Sequence, residues 1–280
     1  QFKDVIGQEE IKEGLRRSVA EGRISHAMLF AGGAGCGSLA LALAYAQEIL
    51  CGDTDNNCHI KVNNLQHPDL HFSYPFSATD SVKKPVAKLL LNEWRTFIQQ
   101  NIYGNQTQWM KHLGIEKKQG IINVEEADQI VKTLALNSYE GGFKIMIIWT
   151  ADQMNTAAAN KLLKIIEEPP QKTLFLLVTE HEDLILPTIT SRCQLVKIPR
   201  IEQKDIEEYL QKKENYGLEK ARHLAFLSQG NLIETFSLIN NSNHIFDSYF
   251  VTWVRKAFMA AKTPIVLKDL INWSNEIANW

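Results

Sequence analysis

The stretch Leu29-Phe-Ala-Gly-Gly-Ala-Gly-Cys-Gly-Ser-Leu39 decides how this chain is read. Ala27 to Phe30, with Met28 and Leu29 between them, reads as the end of a buried strand. The glycine-rich loop that follows holds Gly32, Gly33, Gly35 and Gly37, and an Ala/Leu-rich helix opens at Leu39-Ala-Leu41. Strand, glycine loop and helix form the context of a phosphate-binding loop. Gly32 and Gly37 stand at the spacing of the two glycines in G-x-x-x-x-G-K-[ST]. A lysine and a hydroxyl residue should follow, and the chain has Ser38 and Leu39 instead. In a working loop the lysine neutralises phosphate and the hydroxyl holds Mg²⁺. Ser38 offers one uncharged donor, and Leu39 ligates nothing. For nucleotide hydrolysis, a tight strand-to-helix turn is therefore the better account. For weak anion binding at the helix N-terminus the two readings stand closer.

The chain of 280 residues has room for two or three domains. Its 45% hydrophobic and 22% charged content is that of an ordinary globular protein. Thirty Lys and Arg against 32 Asp and Glu give a net charge of −2, so no global field draws nucleic acid, while a local basic patch stays open. No apolar run approaches the ~18–20 residues of a membrane span. Gln1-Phe-Lys-Asp4 has no signal-peptide character, so the expectation is a cytoplasmic protein with no membrane partner. Cys36, Cys51, Cys58 and Cys193 are too few and too scattered for a disulfide framework.

Periodicity organises the rest. Ile11, Leu15 and Val19 mark a first helix, ended by Gly22; Leu39 to Leu50 is a helix apolar nearly all round and hence buried. Cys51, Cys58, His59 and His67 invite a zinc site, but Cys51-x6-Cys58 lacks knuckle spacing and two soft ligands fall short of four. The alternative is a polar surface loop with two reduced thiols. Between 77 and 118 the pattern gives a helix from Pro85 to Gln100, with Leu90, Trp94, Phe97 and Ile98 on one face. A shorter helical piece follows at Trp109, Met110 and Leu113. The segment reads as an insertion packed on the main body, with no derivable role. Asn123 caps a helix with Glu126 at N3 and a stripe of Ala127, Ile130, Val131 and Leu134. Lys144–Trp149, Leu174–Thr179 and Gln194–Ile198 are further strands. A helix capped by Asn155 and stopped by Pro169-Pro170, and a short one from Pro187 to Arg192, connect them. Apolar strands alternating with helices predict a doubly covered parallel sheet of the α/β class. Beyond Pro199 three short helices predict a small lid, and from His244 two more carry Phe250, Trp253, Val254 and Phe258, then Leu267, Leu270, Ile271 and Ile277. That last apolar face has nothing after it to pack on, so the expectation is a domain cut short at Trp280.

Several short motifs, taken together and in order, resemble the clamp-loader branch of the AAA+ ATPases. They are Phe2-Lys-Asp-Val-Ile-Gly-Gln8, Ser25-His-Ala-Met-Leu-Phe30, His67-Pro-Asp69, Val124-Glu-Glu-Ala-Asp128, Ala159-Asn-Lys-Leu-Leu-Lys164, Ile166-Glu-Glu-Pro-Pro170 and Thr190-Ser-Arg-Cys193, running on to Gly230-Asn231. The resemblance implies a degenerate AAA+ nucleotide-binding-like domain at 1–199, a helical lid at 200–242 and the truncated start of an all-α collar domain at 243–280. It places the carboxylate pair of active relatives on Trp149-Thr150, which neither hold Mg²⁺ nor orient water. Asp152, the nearest carboxylate, sits past the strand end where relatives do not use one. Thr179 matches the polar sensor position, and the lid arginine is replaced by Ile233.

Five missing groups imply a subunit that does not hydrolyse ATP and carries no ATP/Mg²⁺ cofactor. Ser191-Arg192-Cys193 matches a motif whose arginine reaches the γ-phosphate of a neighbour's ATP, a task suited to a planar, permanently charged fork. Cys193 reads as a small buried hydrophobe. Relatives often carry a four-cysteine zinc module before the His-Pro-Asp turn, where this chain keeps only Cys51 and Cys58; either the site is lost or the sequence lacks residues between them, which leaves these two as weak zinc candidates. The implied partners are the gamma/tau and delta subunits, the sliding clamp and, through the assembly, primed DNA. The competing expectations are an ATP-hydrolysing AAA+ motor and an adaptor that binds nucleotide without hydrolysis.

Overall fold

Five strands form one sheet: β1 (Ala27–Ala31), β2 (Leu70–Ser73), β3 (Lys144–Trp149), β4 (Thr173–Thr179) and β5 (Gln194–Lys197). In the computed structural model, which describes residues 1–52, 56–77, 86–240, 252–259 and 271–273, they lie in the order β2-β3-β4-β1-β5. All neighbours run parallel. β1, β3 and β4 are buried at every position, because side chains alternate across the sheet and helices cover both faces. The first predicted helix is α1 (Glu9–Ala20), which buries Leu15. On one face of the sheet Met28, Phe30, Ile147 and Leu176 join the core around α2 (Ser38–Cys51). On the other, Leu29, Ile148 and Leu177 pack with α6 (Val124–Ala135) and α7 (Thr156–Glu167). The expected α/β sheet is therefore present, with β2 as an edge strand that periodicity does not reveal.

The predicted caps form. Asn123 Oδ1 accepts from Glu126 N at 2.9 Å, and Asn155 Oδ1 from Ala158 N at 2.8 Å. Glu126 does not turn back to complete a capping box. It is buried, and its carboxylate accepts from Ala87 N at 2.8 Å.

The insertion has a structural role. α4 (Leu91–Gln100) and α5 (Gln106–His112) bring Trp94, Phe97 and Trp109 over the ends of β2 and β3. Trp94 stacks on Tyr74 at 4.3 Å between ring centroids and lies 5.1 Å from Trp149. Trp109 meets Trp94 edge-on at 5.4 Å and donates from its indole nitrogen to Pro75 O at 2.7 Å. Clustered aromatic rings carry large buried areas; the Tyr74 hydroxyl donates to Ala87 O at 2.6 Å, while the buried Trp94 indole nitrogen has no partner among the described residues. Trp149, at the end of β3, is thus an anchor for the insertion. The predicted start of its helix, at Pro85, lies outside the described residues; from Ala87 to Leu90 the chain forms a 3-10 turn.

His67-Pro-Asp69 is a structural clamp. Asp69 is buried and accepts from Tyr139 N at 2.6 Å and Glu140 N at 2.9 Å; His67 Nδ1 accepts from Asp69 N, and His67 Nε2 lies 3.1 Å from Glu140 Oε2. The turn thus pins the segment that leads into β3.

The reading of Cys51 and Cys58 as zinc candidates or as reduced thiols in a polar surface loop is corrected. Both are buried and are joined in a disulfide between the end of α2 and α3 (Asn56–Asn63). A sulfur bonded to its partner has no thiolate to offer a metal. Among the described residues no group of three or more His, Cys, Asp or Glu gathers as a metal site. Nor is any described helix long and apolar enough to cross a membrane.

α9 (Gln203–Lys212), α10 (Leu218–Ser228) and α11 (Leu232–Asn240) follow the sheet. The chain divides into two compact units, Gln1–Thr235 and Phe236–Trp280. In the second, 252–259 and 271–273 are helical. His244, Phe250, Leu267, Leu270 and Ile277 lie outside the described residues.

Candidate functional site

The glycine loop sits at the C-terminal end of β1, where parallel sheets place ligands. Its glycines are needed, but by the protein's own side chains. Gly35 has φ +71°, and a Cβ there would come within 2.0 Å of Asn231 Oδ1. Gly37, at φ +96°, would meet the Tyr103 ring at 3.0 Å. Asn231 begins the helix α11, and Leu232 N donates to Gly35 O at 3.2 Å, so the lid closes directly on the loop. Ile233, at the expected arginine position, gives its backbone N–H to Asn231 Oδ1 at 2.9 Å. Tyr103 comes from the insertion; its hydroxyl accepts from Ile6 N at 2.9 Å, and burial pushes its pKa up to about 12. Gln8 fastens the loop from a third side, donating from Nε2 to Cys36 O at 3.2 Å and to Pro199 O at 2.7 Å. The Ser38 hydroxyl lies 3.2 Å from Cys36 Sγ, and burial pushes the Cys36 thiol up.

What remains between Gly32–Leu39 and the strand ends at Trp149-Thr150 and Thr179 is a space of about 20 Å³. That is room for about one water molecule, far short of a triphosphate. The electrostatics agree. Glu180 lines this space, its carboxyl raised chiefly by burial and further by the nearby Asp152 charge. Thr179 Oγ1 donates to Asp152 Oδ1 at 2.6 Å, so the sensor-like hydroxyl and the displaced carboxylate satisfy each other. A shallower depression of about 450 Å³ beside the loop is lined by Glu180, Glu182 and Lys197. Lys197 there already faces Glu182 at 3.7 Å. Two carboxylates against one ammonium repel rather than hold polyphosphate.

Arg192 lies at the other, N-terminal end of the strands, just before β5, which neighbours β1. Gln194 pairs with Met28, which sets Arg192 level with the residue before β1, about 15–20 Å along the strands from Gly32. It follows the short helix α8 (Pro187–Thr190). Its guanidinium donates from Nη1 to Thr188 O at 2.9 Å and from Nε to Glu167 Oε2 at 3.0 Å; Nη2 lies 3.0 Å from the same oxygen. The side chain stays about one-third exposed. Ser191 Oγ donates to Thr188 O at 3.3 Å, and Cys193 is half-buried, its pKa raised by burial to about 11.

The structure therefore separates the predicted residues into two groups. Gly32, Gly33, Gly35, Gly37, Ser38, Leu39 and Thr179 gather around the small space at the strand ends; Ser191, Arg192 and Cys193 do not join them. Tyr103 and Glu180, which line that space, belong to no sequence motif; Asn231, at the end of the motif series, meets the loop at Gly35. Glu167 stands in the Ile166-Glu-Glu-Pro-Pro170 motif, but nothing in that motif gives its pairing with Arg192.

The parallel sheet, with a glycine loop after β1 and helices on both faces, defines an α/β protein of the phosphate-binding-loop type that has Ser38 and Leu39 where that loop carries lysine and a hydroxyl. A family model described as DNA polymerase III, delta subunit, matches residues 7–202, and the chain belongs to that family. It is similar to subunit delta′ of DNA polymerase III from Bacillus subtilis (strain 168), 30% identical over 210 residues, covering 72% of this chain and 51% of that protein. Subunit gamma of DNA polymerase III from Buchnera aphidicola subsp. Schizaphis graminum is 24% identical over 251 residues, covering 87% and 59%. The chain thus spans about half the length of the curated relatives it matches. Among solved structures, a point mutant of RuvB from Thermotoga maritima has a TM-score of 0.51 at 15% identity, covering 96% of this chain and 70% of that one. That likeness concerns the fold alone.

Proposed function

We propose that this chain is a delta′-type subunit of a DNA polymerase III clamp loader that does not hydrolyse ATP itself. Arg192 serves in trans, on an ATP held by an adjacent gamma/tau subunit. The observation that carries this reading is the contrast within one sheet. The glycine loop packs against Tyr103 and Asn231 and faces Glu180, while a partly exposed guanidinium stands at the opposite end of the strands, too far away to act on its own loop. A fork of charged N–H donors suits phosphate oxygens, and arginine fingers in other nucleotide hydrolases are worth about 10³–10⁵ in rate. The delta subunit, the sliding clamp and primed DNA are partners of the assembly in this reading. Residues 200–242 act as lid, and 243–280 begin a helical collar.

The competing reading is a hydrolysing motor, favoured by the similarity to gamma subunits. Ser38, Leu39, Trp149 and Thr150 oppose it, and steady ATP turnover by the isolated chain would establish it. A nucleotide-binding adaptor predicts saturable binding of fluorescent ATP by the isolated chain; the reading offered here expects none, with or without Mg²⁺. The direct test is Arg192→Ala in a reconstituted loader. The complex should assemble while turnover at the one site served falls about 10³-fold. Unchanged DNA-stimulated turnover would refute the proposed role.

A further inference from the structure

The geometry points to Glu167 as the positioning residue for Arg192: its carboxylate holds the guanidinium so that the end-on fork of the two Nη atoms faces outward for a phosphate. The inference rests on the reading of Arg192 given above. Glu167 closes α7, and Glu168 follows it as the C-cap. Two carboxylates at a helix C-terminus face the negative end of the helix dipole, where a cation is preferred. Such a local conflict marks a position whose compensation lies elsewhere, and Arg192 supplies it across 25 residues of chain. One carboxylate oxygen takes the Nε edge together with Nη2, while the Thr188 carbonyl takes Nη1 from the other side. A guanidinium carries five N–H donors. These contacts use one N–H on Nε and one on Nη2, while Nη1 meets the Thr188 carbonyl and, at a longer 3.5 Å, the Ser191 hydroxyl; the remaining Nη2 N–H and the loosely held Nη1 N–H are the pair that binds an oxyanion end-on. Without Glu167 the long side chain regains its rotamers and the fork loses its aim.

The test uses the assembled loader, with kcat and KM for ATP measured under DNA stimulation. Glu167→Ala should lower kcat about fivefold, the scale of one partly exposed ion pair, with KM unchanged. Glu167→Gln, which keeps an acceptor oxygen of the same reach, should recover most of it. In the Arg192→Ala background, Glu167→Ala should add nothing. If Arg192→Ala slows turnover while Glu167→Ala leaves it unchanged or raises it, the positioning role is overturned and the finger stands. If Arg192→Ala is itself silent, both fall. A readout free of the partners is the Arg192 Nε–Hε NMR signal of the isolated chain. It should be protected from exchange in the wild type and lose that protection in Glu167→Ala; equal protection in both would overturn the inference.

Discussion

The glycine-loop end of the sheet and the Arg192 end differ in what occupies them. At the first, backbone conformation has survived without its charges, and the protein's own groups have moved in: Tyr103, Asn231, the Asp152–Thr179 pair and the aromatic cluster on Trp149. At the second, a charge has survived and is held partly open to solvent by one carboxylate and one carbonyl. The glycine loop is thus itself a packing surface: Gly35 and Gly37 leave room for Asn231 and Tyr103. The opposite holds at Arg192, where three polar contacts constrain a side chain without burying it.

The largest expected effect comes from opening the filled end. Trp149→Ala removes a ring packed against Trp94 and Phe97, and should destabilise the chain by about 3–5 kcal/mol in urea unfolding. Trp149→Asp should be at least as destabilising and still give no ATP turnover, because lysine and hydroxyl remain missing at Ser38 and Leu39. Recovery of turnover in that variant would erase the contrast between the two ends.

A smaller effect is expected at the N-terminal edge of the sheet. Asp69→Ala removes the buried carboxylate that accepts from the backbone N–H groups of Tyr139 and Glu140, for a loss of about 1.5–3 kcal/mol, the scale of hydrogen bonds to a charged group. Arg192 shares that edge but not those bonds, so its Nε–Hε signal should stay unchanged.

The smallest effect is a slope. Burial raises the pKa of Glu126 above the ordinary carboxylate value, and the bond from Ala87 N only partly offsets it. The folded chain therefore holds this proton more tightly than the unfolded one. The stabilisation is complete below the ordinary value and is lost as pH rises through the raised one. Glu126→Gln keeps an acceptor for Ala87 N and should flatten stability against pH across that window by about 1 kcal/mol. An unaltered slope would remove Glu126 as its cause.

Much of this was legible in the sequence for identifiable reasons. β1, β3 and β4 are continuous apolar runs because they are covered on both faces, and Asn123 and Asn155 announce their helices by local capping chemistry. β2 was not legible: four residues with His71 among them carry no period, and pairing with β3 places them. The helical face of Trp94 and Phe97 was readable, but its partners Tyr74 and Trp149 were not, since the contact joins distant segments. Missing charges at Ser38 and Leu39 could be read from the motif, whereas the Tyr103 plug and the lid contact at Gly35 depend on loops with no pattern. The disulfide of Cys51 and Cys58 depends on how α2 and α3 meet, which spacing alone does not give.

In the proposed function one end of the sheet is closed and the other works in trans. The most direct measurement is DNA-stimulated ATP turnover of the reconstituted loader, with Ser38→Ala and Arg192→Ala versions of this chain compared side by side. Ser38→Ala should leave turnover at the wild-type level, while Arg192→Ala should abolish the contribution of the site it serves, with both complexes assembled. Loss of turnover in Ser38→Ala together with wild-type turnover in Arg192→Ala would contradict it.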